Sequence, residues 1–303
     1  MKISYLPHSR IDKIKWDRCI DSAGNGLIYA YSFYLDAMSE NWDALILNDY
    51  EMVMPLTWKK KYTIYYLYQP FYTASLGIFG NDISAEMVND FLKNIPSKFK
   101  YWDFYLNRNN LFSLPDFPMY ERSNYILPLN ENYETLVSRY ASSHVRNIKR
   151  AVQYGNVVKK DIPVKEVIAL AKEQAKDFSD IEEDNFLDLA NLYEFLKKRN
   201  QAMTYGVYSS QNQLVASSAY FFSHQRAYYI LVGNHPNGKT SGASHLMIDH
   251  FIKEHAGENL VLDFEGSNIS SLAFFYKSFG AQLEKYPGIK LNKLSAIGKL
   301  FKQ

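Results

Sequence analysis

The sequence predicts an α/β (α+β) fold in two tandem halves, each a mixed, mainly antiparallel sheet flanked by helices. A repeat indicates the two halves, because shifting the chain by 160 residues places residues 84–94 over residues 244–254 without a gap. Hydrophobic patterning indicates the sheets. Residues 44–58 and residues 205–221 each contain an apolar stretch, a polar turn and a second apolar stretch, which is typical of a β-hairpin.

Each half is predicted to contain a hairpin, a further strand, a helix, another strand, and a final loop or helix. The repeated helix and the strand after it share identities at the same offset: Ser84/Ser244, Met87/Met247, Phe91/Phe251, Lys93/Lys253, Asp103/Asp263 and Phe104/Phe264. A boundary near Pro128 then divides the chain into domains 1–128 and 129–303. A chance match between two α/β halves is the alternative explanation.

Composition restricts the class of protein. The chain has 303 residues, enough for two domains, with 47% hydrophobic and 22% charged residues. No apolar run reaches the length of about 18 residues that indicates a membrane span, and the N-terminus lacks the apolar segment of a secretion signal. The lone Cys19 excludes an internal disulfide framework, and the net charge of +2 does not indicate a DNA partner. We expect a cytoplasmic protein.

The second half contains a basic, glycine-rich segment between an apolar strand and an amphipathic helix. Its residues are Asn237, Gly238, Lys239, Thr240, Ser241, Gly242, Ala243 and Ser244. Small residues allow a tight turn, and the N-terminus of the following helix offers free N–H groups and a positive dipole end to a phosphate. The matching stretch of the first half, "ASLGIFGNDIS", has no lysine. We therefore expect a phosphate-binding loop in the second half only.

The same segment fits a P-loop, with Gly233, four residues, and then Gly238-Lys239-Thr240. "LVLDFE" at residues 260–265 has the pattern of a Walker B strand. A P-loop normally follows the first strand of a large parallel sheet, whereas only 65 residues follow Gly238 here. A nucleotide-binding P-loop protein is therefore the less favoured alternative.

Residues 263–283 predict a strand, a Ser/Asn turn and a short helix. The apolar face of that helix is formed by Leu272, Phe275, Tyr276 and Phe279, and Gly280 is its expected C-cap. This order of elements resembles the GNAT superfamily of N-acyltransferases: a strand, a basic glycine loop, a helix, a second strand and then the pattern "N…FYKSFGA". Lys239, Gly242 and Ser244 take the places of the acyl-CoA loop, with the lysine and the serine as departures. Asn268 and Tyr276 match the later Asn…Tyr-x-x-x-Gly pattern of the family.

The tandem arrangement resembles the FemABX peptidyltransferases and related FemAB-like acyltransferases. Residues 142–160 contain Arg-Asn-Ile-Lys-Arg-Ala where that family has an arginine-rich helix, and "GASHLMIDHFI" resembles its "GANYLL" helix. The second half lacks the long coiled-coil arm of some members. The resemblance implies a degenerate GNAT-like domain at 1–128 and a donor-binding GNAT-like domain at 129–303.

The implied activity is transfer of an acyl group from a co-substrate, acyl-CoA, to an amine acceptor. An alternative is an aminoacyl-tRNA-dependent peptidyltransferase that acts on a cell-wall precursor, and a second alternative is a catalytically degenerate binding protein. Tyr276 is the candidate general acid and Glu265 the candidate general base. A packing role for Tyr276 and a helix-capping role for Glu265 are the structural alternatives.

Cations cluster between residues 135 and 160, where the chain has no acid. Arg146, Lys149 and Arg150 are candidate contacts to an anionic acceptor or to tRNA, since arginine binds phosphate and carboxylate in bidentate fashion. A solvated helix face is the alternative. The three histidines between residues 245 and 255 are spaced by five, so they do not share a helix face, and we expect no metal site.

Overall fold

The computed structural model describes residues 2–175, 183–266 and 268–294. The chain divides into two compact units, unit 1 with Met1–Ser123 and Lys285–Gln303, and unit 2 with Asn124–Glu284. Both boundaries fall inside strands, at Ser123/Asn124 in β7 and at Glu284/Lys285 in β13. Among the described residues, no helix combines the length and the apolar character that crossing a bilayer requires.

Unit 1 is built on a mixed sheet with the strand order β1-β2-β3-β4-β6-β13, and β5 pairs with β3. Its elements are β1 Ile3–Leu6, α1 Lys13–Ser22, α2 Ser32–Met38, β2 Trp42–Leu47, β3 Met52–Lys61, β4 Ile64–Tyr68, β5 Phe79–Gly80, α3 Ala85–Lys93 and β6 Phe99–Tyr105, with parts of β7 Met119–Pro128 and β13 Gln282–Asn292. The predicted hairpin at 44–58, the helix at 84–94 and the strand at 102–104 are therefore confirmed.

Two helices of unit 1, α1 and α3, begin at side-chain caps and bury an apolar face. Asp12 accepts hydrogen bonds from the amides of the first turn of α1, and Ser84 caps α3 in the same way. Val88, Phe91 and Leu92 of α3 then enter a core that the inward side chains of the sheet complete. Burial of this face stabilises α3 more than its intrinsic propensity does.

Unit 2 has the strand order β7-β12-β11-β10-β9-β8, with β11 and β12 parallel and the other pairs antiparallel. Its elements are α4 Tyr133–Ser138, α5 Ser142–Gln153, β8 Val157–Lys160, α6 Val164–Ala175, α7 Glu183–Lys197, β9 Ala202–Tyr208, β10 Leu214–Ser223, β11 Arg226–Asn234, α8 Pro236–Ser241, α9 Ala243–His255, β12 Val261–Asp263 and α10 Ser270–Lys277. The second hairpin, the amphipathic helix and the short helix before Gly280 are confirmed.

The last strand, β13, lies mostly in unit 1, whereas the sequence-based domain boundaries placed it in the second domain. Residues Gly288–Asn292 of β13 pair with Tyr101–Tyr105 of β6, which places the chain after Glu284 in unit 1. The predicted domain 129–303 kept that strand with the second half. Backbone pairing between segments about 185 residues apart leaves no local pattern in the sequence, because strand partners are chosen by the fold.

Candidate active site in unit 2

A wedge opens between β11 and β12. In the described part of the chain, the two strands pair from Arg226–Val261 to Tyr228–Asp263 and no further, while β11 continues to Asn234. Ile230 is an extra residue against β10, because Ala219 pairs with Leu231 and Tyr220 with Tyr229. Such a β-bulge bends its strand and re-aims side chains. Beyond Tyr228 the edge of β11 that faced β12 therefore has no strand partner among the described residues, whereas its other edge stays paired with β10.

A cavity of about 420 Å³ occupies this region. Its lining comes from β11, α8, α9, α10 and the end of α6: Gln174, Tyr229, Val232, Asn234, Gly238, Lys239, Ser244, His245, Leu272, Phe275 and Tyr276. Asn234 links two of these elements, since its N–H donates to Gln174 Oε1 at 2.6 Å and its side chain hydrogen-bonds Ser244. The size falls in the usual range of small-molecule sites, about 300–1,000 Å³.

The predicted loop at 237–244 is largely helical, which corrects the expectation of an irregular loop. Pro236 occupies the first turn of α8 and the His235 side chain accepts from the Asn237 N–H, so a helix starts here. Gly242 has φ +83° and ends α8, and α9 begins at the next residue. Gly233 lies inside β11. The four residues between the two glycines of the P-loop pattern therefore do not form a phosphate-wrapping loop.

The glycines of this segment are explained by packing against protein backbone. A Cβ on Gly238 would lie 2.0 Å from the Val215 carbonyl oxygen, and one on Gly242 would lie 2.6 Å from the Asn147 carbonyl oxygen. Both glycines therefore let α8 and the start of α9 approach β10 and α5 closely. The missing Cβ of each glycine is thus explained by protein backbone, and the close approach of a ligand to this segment stays a prediction.

The predicted donor-binding residues separate into groups. Gly238, Lys239 and Ser244 line the cavity described above. A second pocket of about 330 Å³, lined by uncharged residues, includes the exposed Asn237 and Thr240 and the buried Ser241. Ala243 is fully buried in the core and Asn268 is exposed before α10. Only the first group therefore shares a cavity with Tyr276.

Tyr276 is buried at the cavity and stacks on Phe264, with ring centroids 4.4 Å apart and an interplanar angle of 18°. Burial raises the pKa of its hydroxyl to about 12, and the charge of Glu265 adds to the rise. The pKa of the Glu265 carboxyl is itself raised well above its usual value by burial. The two candidate catalytic residues are thus electrostatically coupled, and Tyr276 keeps its proton at neutral pH.

A buried polar network holds the turn that carries Glu265. Glu265 has φ +65°, a left-handed conformation that costs energy for a residue with a Cβ. Its N–H donates to Asp263 Oδ1 at 2.9 Å, and the Gly266 N–H donates to Asn124 Oδ1 at 2.6 Å. Asp263 also pairs with Arg226 at 2.6 Å. Asp263 therefore has a structural role, because it fixes the backbone beside the candidate base.

Two histidines beside the cavity were not assigned a role from the sequence. His245 lines the cavity, its Nε2 lies 3.0 Å from Asn147 Nδ2, and the Asn147 Oδ1 accepts from Arg150 at 2.9 Å. Since an arginine only donates, the Asn147 amide nitrogen must face His245, whose Nε2 then accepts. Burial, followed by the charges of His144 and Arg150, lowers the pKa of His245 to about 4. His245 is therefore neutral, with its proton on Nδ1.

His144 completes the pair. Its ring centroid is 4.5 Å from that of His245, and its Nε2 lies 3.0 Å from the Phe275 carbonyl oxygen, which only accepts. Burial lowers its pKa as well. Within the described residues, Nδ1 of both rings is buried without a hydrogen-bond partner. Contacts between α5, α9 and α10 create this pair, and the spacing of five along the sequence does not reveal it.

The predicted acceptor contacts all lie on α5 and are exposed. Arg146 donates to the Ser142 hydroxyl at 3.4 Å, and Arg150 donates to Asn147 Oδ1 at 2.9 Å. Lys149 is exposed between them. Among the residues that the structure describes, no three His, Cys, Asp or Glu side chains come close enough to hold a metal ion.

Unit 1 has a cavity of its own, of about 470 Å³, whose walls are mainly tyrosine rings on β4 and β6. Its acid, Asp103, already accepts from the Tyr101 hydroxyl at 2.9 Å and pairs with Lys290 at 3.2 Å. In unit 2, Tyr276 shares its cavity with a lysine and a neutral histidine and is electrostatically coupled to Glu265, which is an arrangement that suits chemistry although Glu265 itself is not one of the lining residues.

No family model and no curated protein matches this chain. Solved structures match it over nearly its full length. FemX has a TM-score of 0.66 at 15% identity, with 100% of both chains covered. L-PGS from Bacillus licheniformis has a TM-score of 0.59 at 12% identity, covering 99% of this chain and 97% of that chain.

A third similar structure is the C-terminal DUF2156 domain of a putative lysylphosphatidylglycerol synthetase from Agrobacterium fabrum. Its TM-score is 0.56 at 8% identity, covering 96% of this chain and 94% of that chain. At these identities the likeness concerns the fold. The predicted fold class, a mixed α/β chain, is confirmed, and the chain shares its fold with FemX.

Proposed function

We propose that the chain is a transferase that moves an acyl group from acyl-CoA to an amine acceptor. The single observation that best supports this function is the wedge between β11 and β12, where one cavity joins Lys239 and the start of α9 to Tyr276. Acyl-CoA is a long molecule, so its site must hold the phosphates at one end and the reacting carbonyl at the other. The fold shared with FemX is consistent with group transfer.

Donor binding would use charge and helix termini. α9 has 13 residues and begins at Ala243, and the N–H groups of Ala243 and Ser244 precede the acceptors of the helix, whereas the His245 and Leu246 N–H groups donate to the Gly242 carbonyl at 3.1 and 3.2 Å. Lys239 is exposed at the cavity beside them, and Ser244 lines the cavity. Together they suit the phosphates of the donor. Because Gly238 and Gly242 pack on protein backbone, the anion site is expected on the Lys239–Ser244 face alone.

The chemistry would be an addition to a thioester carbonyl followed by loss of the thiol. The amine nitrogen forms a bond to the carbonyl carbon and gives a proton to Glu265, and the C–S bond breaks as Tyr276 gives its proton to the departing sulfur. Proton return from Glu265 to Tyr276 restores both groups. Raised pKa values suit these roles, since a more basic carboxylate accepts more readily and the phenol remains a donor.

The acceptor would bind near α5. Arg146, Lys149 and Arg150 are exposed there, and the helix contains no acid. An acceptor with an anionic group, a small molecule or a cell-wall precursor, matches this charge. We place the reaction in the cytoplasm, where acyl-CoA is made and used.

The second candidate is transfer of an aminoacyl group from aminoacyl-tRNA to a cell-wall precursor. The names of the similar structures, FemX and lysylphosphatidylglycerol synthetase, favour it, and the cations of α5 would then contact the tRNA backbone. No thiolate leaves in that reaction, so Tyr276 would only hydrogen-bond the ribose oxygen. A catalytically degenerate binding protein and a P-loop protein are the remaining alternatives.

A thermal-shift screen tests the proposal. The probes are acetyl-CoA, CoA, ATP with magnesium, charged tRNA and UDP-linked muropeptides, and a ligand at 100 times its Kd adds about 2.7 kcal/mol to stability. We expect CoA and acetyl-CoA to raise the Tm of the wild type and of Lys165→Ala, an exposed lysine of α6, but much less that of Lys239→Ala. Stabilisation by charged tRNA alone would favour the second candidate. No shift with any probe would favour the binding protein, and ATP hydrolysis the P-loop.

A further inference from the structure

The second pocket of unit 2, of about 330 Å³, is walled by side-chain amides. Asn156, Gln211, Gln213 and Asn237 line it together with the ring of Tyr154, and we call it the amide pocket. The other described residues of its wall are serines, a threonine and a valine, so that wall carries no charge. The amide pocket therefore suits a polar but uncharged group rather than a phosphate.

The amides of this pocket retain hydrogen-bonding capacity. Asn237 Nδ2 lies 3.5 Å from Gln213 Oε1, which is longer than the usual range of about 2.7–3.2 Å for such a bond. Gln211 is exposed at the pocket. An amide side chain offers a donor and an acceptor side by side. Adenine offers the complementary pair, an amino donor and a ring-nitrogen acceptor, so that asparagine and glutamine bind it in bidentate fashion.

The ring of Tyr154 supplies a surface for stacking. Tyr154 is the C-cap residue of α5 and is 57% exposed, so much of its ring is open to a ligand. Proteins hold single bases by stacking them on an aromatic ring and by hydrogen-bonding their edges. The ring, the amides and the uncharged wall together match an adenine nucleoside. Guanine fits less well, because its corresponding edge presents two acceptors, for which arginine or lysine is the usual partner.

The helix α8 separates the amide pocket from the cavity at Tyr276. With 3.6 residues per turn, Asn237, Thr240 and Ser241 share one face of α8 and Lys239 points to the opposite side. The lining of the two sites agrees, since the first three residues line the amide pocket and Lys239 lines the cavity with Tyr276. A helix with its side chains is about 10–12 Å across, which sets the scale of this separation.

The separation distinguishes between the two donors. In acyl-CoA the adenosine and the thioester lie at opposite ends of a long molecule, with the diphosphate between them. In aminoacyl-tRNA the amino acid is esterified to the ribose of the terminal adenosine itself. That adenosine could not lie across α8 while its ester reacts at Tyr276.

We propose that the amide pocket binds the adenine nucleoside of an acyl-CoA donor whose phosphates lie at Lys239 and whose thioester lies at Tyr276. The proposal rests on the transferase function proposed above and specifies how the donor of that reaction is recognised. The donor would pass around α8. This gives Asn237 and Thr240 a place in donor binding, although both lie outside the cavity at Tyr276.

Titration calorimetry with CoA and with phosphopantetheine, which has the same thiol arm but no adenosine, tests the proposal. Tyr154→Ser should raise the Kd of CoA about tenfold, near the lower end of what the loss of one stacked base costs, and leave the Kd of phosphopantetheine unchanged. Gln211→Ala should act in the same direction. Lys239→Ala should weaken the binding of both ligands. Tyr62→Ser is the matched control, because Tyr62 lies in unit 1 and is 76% exposed, and it should change neither Kd.

The outcomes separate this proposal from the transferase function. If Tyr154→Ser binds CoA as the wild type does, or loses affinity for CoA and phosphopantetheine alike, the amide pocket is not the nucleoside site. CoA binding that still depends on Lys239 would then leave the transferase proposal standing. No binding of CoA to the wild type would overturn both proposals. In that case, charged tRNA or ATP whose affinity falls in Tyr154→Ser would assign the amide pocket to another adenine nucleotide.

Discussion

Acidification should destabilise unit 2 through His245. Its pKa in the folded chain is lowered to about 4 by burial and by the charges of His144 and Arg150, against about 6.5 for an unperturbed histidine. The unfolded chain therefore takes up a proton as the pH falls through about 6.5, whereas the folded chain does so only near pH 4. The neutral His245 therefore stabilises the folded chain above about pH 6.5, and this stabilisation is lost as the pH falls from about 6.5 to about 4.

The size of the effect follows from the difference in pKa. A gap of about 2.5 units at about 1.36 kcal/mol per unit corresponds to about 3 kcal/mol at most, since the ring is partly exposed at the cavity. Glu265 acts in the opposite direction, because its raised pKa lets the folded chain bind a proton first. Glu265 is present in both the wild type and His245→Asn, so its contribution cancels when their free energies of unfolding are subtracted at each pH.

Urea unfolding at a series of pH values from about 7.5 to about 4 measures this difference. We expect the free energy of unfolding of the wild type, relative to His245→Asn, to fall by about 2–3 kcal/mol over that range. His250→Asn is the control for the loss of a histidine from the same helix, since His250 is exposed there. If the free energies of unfolding of the wild type and of His245→Asn differ by the same amount at every pH, the reasoning is wrong.

Further predictions concern chemistry, backbone and charge. Tyr276→Phe keeps the ring stacked on Phe264 and removes the hydroxyl, so kcat should fall by about 10²–10⁴ with the Kd of the donor unchanged, and an unchanged kcat would assign Tyr276 to packing. Gly242→Ala should lower stability by more than about 1 kcal/mol in thermal melts, because it adds a clash to a positive φ. Gly257→Ala, at φ +85° with open space around it, should lose less, and equal losses would rule the clash out. Arg150→Ala should raise the acceptor KM more than it lowers kcat if the contact is uniform binding, and wild-type kinetics would leave α5 a solvated face.

Much of the fold was predictable because it follows from local patterns of apolar residues in the sequence. The hairpin at 205–221, the helix α9 and the helix α10 each bury one face, and the spacing of their apolar residues reports that face directly. Tyr276 could be proposed because the segment around it resembles the Asn…Tyr-x-x-x-Gly pattern of the GNAT superfamily, and Glu265 because it lies at the end of a predicted strand.

The segment at 237–244 shows where local reasoning stops. Glycine, lysine and small residues are common to anion loops and to tight helix junctions. What separates the two is whether the glycine faces a ligand or a backbone, and Gly238 and Gly242 face the backbones of β10 and α5. That choice depends on which elements pack nearby.

Sequence alone determined the two hairpins, the amphipathic faces of α9 and α10 and the candidate residues on them, because these depend on neighbours within a few positions along the chain. Only the tertiary structure decided that β13 pairs with β6, that β11 parts from β12, and that Arg150 acts through Asn147 on His245. Each of these is a contact between distant segments. The low dielectric of their shared interior, which shifts the pKa values of His245 and Glu265, exists only after those segments have packed.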